Sequence, residues 1–275
     1  MAGTLFLVPT PIGNLGDVSE RARETLAQAD FIAAEDTRVS LKLLNHLSIK
    51  KPMVSYHEHN RAESGPRILA RLLAGENCAL VTDAGSPAIS DPGEDLVALC
   101  AAEGVTVTAI PGPCAAVTAL SVSGLPTGRF TFEGFLSTNK KSRAGHLASL
   151  ADEKRTMIFY EAPHKLLRTL YDLAGAFGGD RRVSLCRELT KLHEEISRTT
   201  LAQAAAYYET QPPRGEYVLI VAGAPEAPKP ENPLDDALAR VEELCAQGLG
   251  RKDAVRQASA ELGVPKNELY AASVK

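Results

Sequence analysis

Three short apolar runs in the first half of the chain each empty into a loop dense in proline, glycine and small polar residues. This repeated pairing of strand and loop constrains the fold more than any other feature. TLFLV runs into PTPIGNLGD (Pro9 to Asp17), CALVT into DAGSPAISDPG (Asp83 to Gly93), and VTVTAI into PGPCAAVTAL (Pro111 to Leu120). Glycine and proline force turns that neither helix nor strand makes, while Asp83, Ser86, Ser90 and Asp91 set polar groups among nearly bare peptide units. Such loops press backbone against a ligand. In open α/β sheets ligands bind beyond the carboxyl ends of the strands, so the three loops together predict one site, although each taken singly is also an ordinary turn.

Between these loops the periodicity alternates. Strands are expected at Thr4 to Val8, Phe31 to Ala34, Met53 to Tyr56, Cys78 to Thr82 and Thr106 to Ile110. Helices are expected at Val18 to Ala29, Arg38 to Leu47, Glu63 to Ala74, Gly93 to Glu103 and Ala115 to Ser123. Alternation of this kind predicts a mostly parallel sheet with helices on both faces. Breakers and aromatics in GLPTGRFTFEG interrupt the rhythm and place a boundary there, giving an α/β domain over 1–124. A second, strand-richer α/β domain spans 125–224, with strands at Thr156 to Tyr160, Val183 to Arg187 and Tyr217 to Ala222 and helices at Lys165 to Phe177 and Leu201 to Tyr208. The prolines of APEAPKPENP make 225–233 an extended linker. The remainder, 234–275, is helical in pattern, and RKDAVRQASAELGVPKNELY reads as helix, Gly-Val-Pro turn and helix.

Composition excludes several classes. The chain has 275 residues, 44% apolar and 23% charged, which supports real cores and does not favour disorder. Its 30 Lys and Arg against 34 Asp and Glu leave a net charge of -4, so any nucleic-acid surface is a local patch. No apolar stretch approaches the ~18 residues of a membrane span, and MAGTLFLVPTPIGN lacks the basic start of a signal peptide. The five cysteines are odd in number and form no CxxC pair, so a reducing cytoplasm is expected, with neither disulfides nor metal.

Neither a Walker GxxxxGK[ST] spacing nor a GxGxxG fingerprint is present, which removes the usual supports of ATP-driven and nicotinamide chemistry. A ligand held by Pro/Gly loops at several strand ends need not carry phosphates, and an adenosine or amino-acid moiety fits better. Glu35, Asp36, Thr37 and Arg38 follow the strand FIAA, as polar site residues or as a helix start capped by Thr37. His57 and His59 lack an evident third metal ligand, so YHEHN reads as a polar loop. Cys186 to Lys191, with His193, Glu194 and Glu195 after it, gathers ionisable groups at a strand end where a Lys or Glu in a cleft takes a tuned pKa. Glu161 and His164 occupy the equivalent place after the preceding strand. Lys140, Lys141 and Arg143, and Arg251, Lys252, Arg256 and Lys266, are either phosphate contacts or ordinary helix surface.

Taken in order, VPTPIGNLGD, AEDTR, SYHEHN, TDAGSPAISDPG, IPGPCAAVTALSVSGLP, FEGFL, YEAPHKL, CRELTKLHEE and RGEYVLIVAG closely resemble the tetrapyrrole-methylase-like superfamily of S-adenosylmethionine-dependent methyltransferases. The likeness runs from about Thr4 to Gly223 and is greatest to the branch that methylates the ribose 2′-oxygen of a decoding-centre cytidine in 16S rRNA. It implies a two-domain fold with a mostly parallel N-terminal sheet, a mixed C-terminal sheet and a small helical appendage. It also implies a homodimer, 16S rRNA of the small ribosomal subunit as partner, and S-adenosyl-L-methionine in the cleft between the domains.

By the same resemblance, Pro11, Ile12, Asp83, Ser86, Cys114 and Ala115 contact the cofactor from the first domain, Cys114 standing where the family often has serine. Glu161, Ala162, Glu188, Glu216 and Tyr217 close over it from the second. Arg38, His57, Lys140, Lys141, Arg187, Arg251, Lys252 and Lys266 become the residues expected to meet RNA. A sulfonium methyl is already activated, so alignment of the nucleophile at ~3–3.5 Å supplies much of the acceleration. Lys191, Glu188 and Glu161 are the first choices for accepting the hydroxyl proton. Two other readings stay open, a methyltransferase for a tetrapyrrole-like small molecule, which the basic appendage disfavours, and a non-catalytic RNA-binding protein.

Overall fold

The computed structural model describes residues 1–225 and 233–274. In the first half β1 (Thr4–Leu7), α1 (Glu20–Gln28), β2 (Phe31–Ala34), α2 (Thr37–His46), β3 (Met53–Ser55), α3 (Arg61–Leu73), β4 (Cys78–Val81), α4 (Glu94–Ala102) and β5 (Thr106–Ala109) alternate along the chain. Their strands form one five-stranded sheet in the order β3-β2-β4-β1-β5, every pairing parallel. Side chains alternate across its plane. Phe31, Ala33, Cys78 and Leu80 pack with Ile68, Leu72, Leu96 and Cys100 of α3 and α4. Ile32, Ala34, Ala79 and Val81 pack with Ala22, Leu26 and Leu44 of α1 and α2. Each large aliphatic so buried stabilises by ~1.5–3 kcal/mol, which explains why β2 and β4 are apolar on both faces. The start of α2 is capped by Asp36, whose carboxylate accepts from the Arg38 N–H at 2.8 Å, and not by Thr37 as expected.

The second half adds α5 (Ala115–Val122), β6 (Phe130–Phe135), α6 (Lys140–Ser149), β7 (Thr156–Glu161), α7 (Pro163–Phe177), β8 (Arg182–Arg187), β9 (Glu195–Thr200), α8 (Leu201–Thr210) and β10 (Tyr217–Val221). A second five-stranded sheet runs β6-β7-β10-β8-β9, parallel only between β6 and β7 and therefore mixed. One face, with Met157, Phe159, Leu185, Leu219 and Val221, is covered by Leu166, Leu170 and Leu173 of α7 and by Leu201 and Ala205 of α8. The other presents Ile158, Cys186, Val218 and Ile220 to Ala116, Ala119 and Leu120 of α5.

The placement of α5 joins the two halves. This helix belongs by sequence to 1–124, yet its small apolar residues pack on the sheet of 125–224, so Met1–Ala224 is one compact unit holding both sheets. Three elements also lie where breakers and charges predict none. Gly134 interrupts the period of β6, β9 has no fully buried residue, and α6 buries only Arg143 and Leu147.

The second unit, Pro225–Lys275, contains α9 (Pro233–Ala246), α10 (Arg251–Leu262) and α11 (Lys266–Ser273). It has its own core of Ala237, Val241 and Leu244, spaced along one face of α9, with Ala254, Val255 and Ala258 of α10, Val264 and Leu269. Most of the expected 225–233 linker lies outside the described residues. Among the described residues no helix is long and apolar enough to cross a membrane.

Candidate active site

The three loops singled out by sequence meet at the carboxyl ends of the first sheet and are bonded to one another. The Thr10 N–H donates to the Gly85 carbonyl at 2.9 Å, and the Gly85 N–H donates back at 3.1 Å. The Thr10 hydroxyl donates to the Thr82 carbonyl at 3.0 Å, and the Ser86 hydroxyl to the Pro113 carbonyl, also at 3.0 Å. Ala88 and Ser90 hold left-handed backbone at φ 67° and 62°, a strain of ~1–3 kcal/mol each that persists only where surroundings enforce it.

The facing wall comes from the second sheet. Glu161 is 4% exposed, with Oε1 accepting from the Ala162 N–H at 2.9 Å and Oε2 from the Thr169 hydroxyl at 2.5 Å. Arg143 donates to that hydroxyl at 2.7 Å and to Asp172 at 2.6 Å, so a buried chain of donors fixes the carboxylate. Glu188, left-handed at φ 51°, accepts at Oε1 from the Glu216 N–H and from Lys191 Nζ, each at 3.0 Å. Lys191 Nζ also reaches Glu216 Oε2 at 3.0 Å.

The stem of Lys191 lies across the first loop. A Cβ added at Gly13 would come within 2.4 Å of Lys191 Cγ, so only glycine lets the two walls meet there. Burial pulls the Lys191 ammonium down, but Glu188 and Glu216 more than offset it and the net shift is upward. Burial likewise pushes Glu188 up, and the Glu216 N–H and Lys191 outweigh it to hold the carboxyl below its usual range. Lys191 is therefore a charged donor at neutral pH.

Between the walls lies a cleft of about 410 Å³, within the usual ~300–1,000 Å³ of small-ligand sites. Of the residues expected to hold a cofactor or do chemistry, Ile12, Ser86, Cys114, Ala115, Glu161, Ala162, Glu188, Lys191, Glu216 and Tyr217 all line it. Pro11 and Asp83 instead line a separate groove of about 240 Å³ over α2, with Thr82, Ser40 and His46.

Asp91, Phe135, Tyr160, Leu189 and Val218 line the cleft without having been assigned a role from sequence. For Asp91 the signal was its place in the loop after β4. Tyr160 and Val218 sit in apolar strands, where no chemical pattern marks the residue nearest a ligand. Burial, aided by Glu35 and Asp83 and opposed by a Thr82 hydrogen bond, pushes the Asp91 carboxyl up to about 6.

Of the first-unit residues expected to meet RNA, Arg38, His57, Lys140, Lys141 and Arg187, none lines this cleft. Arg38 is exposed and clamps Asp36 at 3.0 and 2.6 Å. His57 follows β3, its Nδ1 buried without a partner among the described residues. Lys140 and Lys141 open α6, and Arg187 pairs with Glu195 at 2.8 Å. Arg251, Lys252 and Lys266 stand at the first turns of α10 and α11 in the second unit, Arg251 pairing with Glu242 at 3.1 Å.

The donor set suits S-adenosylmethionine. Were it bound here, Ile12, Leu189 and Val218 would offer a flat purine apolar cover, and Asp91 would face its sulfonium with a carboxylate that Lys191 does not pair. Contacts from Cys114 and Ala115 are available through main chain, at an α5 start without a side-chain cap.

Comparison with known proteins agrees with the geometry. Residues 4–205 match the family model of the Tetrapyrrole (Corrin/Porphyrin) Methylases. A protein named ribosomal RNA small subunit methyltransferase I from Synechocystis sp. is 50% identical over 273 residues, covering 99% of this chain and 98% of its own. Proteins of the same name from Halalkalibacterium halodurans and Pseudomonas aeruginosa are 49% and 46% identical, each over 98% of this chain and over 93% and 96% of their own. Among solved structures, a cobalt precorrin-4 methyltransferase superposes with a TM-score of 0.59 at 20% identity, over 80% of this chain and 94% of its own. A diphthine synthase superposes with a TM-score of 0.59 at 13% identity, over 80% and 90%. These structures share the two-sheet fold. The chain belongs to the tetrapyrrole (corrin/porphyrin) methylase family, on the branch of the ribosomal RNA small subunit methyltransferase I proteins.

Proposed function

We propose that this chain transfers the methyl group of S-adenosylmethionine to the ribose 2′-oxygen of a decoding-centre cytidine in 16S rRNA of the small ribosomal subunit. The observation that carries the rRNA substrate is likeness to the relatives of that name over nearly the whole length, helical unit included. When bound, S-adenosylmethionine supplies a methyl already activated on a sulfonium, whose leaving thioether needs no proton.

The protein's tasks are then to hold the ribose in line and to receive one proton. Glu161 has both oxygens engaged by Thr169 and Ala162, which suits it to fixing the start of α7. Glu188 is held too acidic to be an effective base. Asp91, on the same cleft and more basic, is the better acceptor, because a base works best with a pKa near the working pH. Arg251, Lys252 and Lys266 of the helical unit and Lys140 and Lys141 of α6 are proposed to meet rRNA phosphates, and the working form is proposed to be a cytoplasmic homodimer.

The test is transfer of tritiated methyl to small subunits lacking the mark, followed by mass spectrometry of the nucleosides. The expected product is 2′-O-methylcytidine. Label on a base, or no label on any subunit while the protein still binds S-adenosylmethionine, would overturn the reading, the latter in favour of a non-catalytic RNA-binding protein.

A further inference from the structure

Strand β6 carries Phe130, Phe132 and Phe135 at its spacing along FTFEGF. In an uninterrupted strand, residues 132 and 135 would point to opposite faces. The register with β7 shifts between Phe132 and Gly134, leaving Phe132 opposite Ile158 and Phe135 opposite Tyr160. Gly134, at φ 61°, supplies the left-handed turn this bulge requires. Both rings therefore stand edge-on to the one Tyr160 ring, at 5.2 and 5.5 Å between centroids and 75° and 63° between planes.

Tyr160 is itself anchored. Its hydroxyl accepts from the Ala116 N–H at 3.1 Å, and burial pushes the phenol up to about 12, so the ring is neutral and fixed. Phe135 nevertheless remains 59% exposed on the wall of the cleft. Beside it is the loop after β4, where Ser90 Oγ lies 3.6 Å from the position a Gly134 Cβ would take. Folding has thus spent a bulge and a positive φ to bring an aromatic ring to the cleft wall and leave much of it uncovered. A flat apolar surface of this kind, beside polar Ser90 and Asp91, matches an unstacked nucleobase, which proteins that read single-stranded RNA receive on aromatic side chains.

We propose that Phe135 is the stacking platform for the base of the methylated nucleotide, with Phe132 and Tyr160 as its rigid backing. The inference rests on the reading of this chain as an rRNA methyltransferase. A second copy of the chain is the weaker occupant, because Phe135 lines the cleft itself and a protein seated on it would close the opening through which a ribose must enter.

The test uses the full chain, small ribosomal subunits lacking the mark, tritiated S-adenosylmethionine, calorimetry with S-adenosylmethionine alone, and sedimentation velocity. Stacking of one base is worth ~1–3 kcal/mol, so Phe135→Ala is expected to raise KM for the subunit about tenfold. Sedimentation and the urea midpoint should stay unchanged, which certifies the fold, and calorimetry should show a smaller loss for the cofactor than the KM shows for the subunit. Phe135→Trp should restore the wild-type KM, while Phe135→Leu, apolar but not flat, should resemble the alanine variant. An unchanged KM in Phe135→Ala, full activity in Phe135→Leu, or dissociation of an oligomer in Phe135→Ala would each overturn the platform, the last assigning the ring to a second copy. Failure of the wild-type chain to label subunits would instead strike the substrate reading beneath it.

Discussion

Asp91 shows how one carboxyl ties chemistry to stability. Its native pKa of about 6 lies above the ordinary 3.8, so the folded chain binds that proton more tightly than the unfolded one. Stability from this group is therefore fully present below about pH 4 and is lost as pH rises through about 6. Asp91→Asn should stabilise the protein at pH 7.5 by about 1 kcal/mol, discounted for solvent contact, and scarcely at all at pH 4, as read from urea midpoints. If Asp91 takes the ribose proton, wild-type kcat/KM should fall as pH drops through about 6, and the asparagine variant should lose both most of its rate and that inflection. Thr169 offers a second residue-scale test. Its hydroxyl donates to Glu161 and accepts from Arg143, so Thr169→Val leaves two charged partners short inside the protein and should cost about 2–4 kcal/mol by chemical denaturation. At this scale sequence revealed chemistry better than direction. Ile12 reaches the cleft while adjacent Pro11 lines the groove over α2, and Ser86 reaches it while Asp83, three residues earlier, lines that groove, because loop residues point in directions that no pattern in a single chain fixes.

Among the elements, α5 links the two halves most directly. Its start carries Cys114 and Ala115 into the cleft, its side chains pack on the second sheet, and its end is met by Arg198 of β9. That guanidinium donates to the Ser123 carbonyl at 3.2 Å and the Val122 carbonyl at 2.5 Å, satisfying carbonyls that the last turn leaves open. Arg198→Met should therefore lower stability by about 1–2 kcal/mol and weaken S-adenosylmethionine binding in the same variant, measured by urea titration and calorimetry. The elements hardest to foresee were β6, α6 and β9. Buried strands such as β2 and β4 announce themselves by continuous apolar runs, whereas β9 is an edge strand paired only to β8, and β6 changes period at its bulge. Alternating strands and helices made the parallel sheet legible, while the antiparallel pairings of β8, β9 and β10 depend on contacts that local periodicity does not encode.

For the whole molecule, the division at Ala224 has an experimental meaning. Met1–Ala224 holds both sheets and the cleft-lining residues named above, while the helical unit has a core of its own. A chain ending at Ala224 should unfold cooperatively and bind S-adenosylmethionine as the full chain does by calorimetry. It should also lose affinity for small subunits, and the loss should shrink as salt is raised, since the phosphate contacts proposed for Arg251, Lys252 and Lys266 are electrostatic. The reciprocal pair between Thr10 and Gly85 carries a further consequence for the first sheet. Backbone pairing does not stop where the strands do, so the amide protons of these two loop residues should exchange with deuterium as slowly as those of β4. Much of the ordering that a ligand normally imposes on loops is then completed when the chain folds, and the wall is preorganised before any ligand arrives.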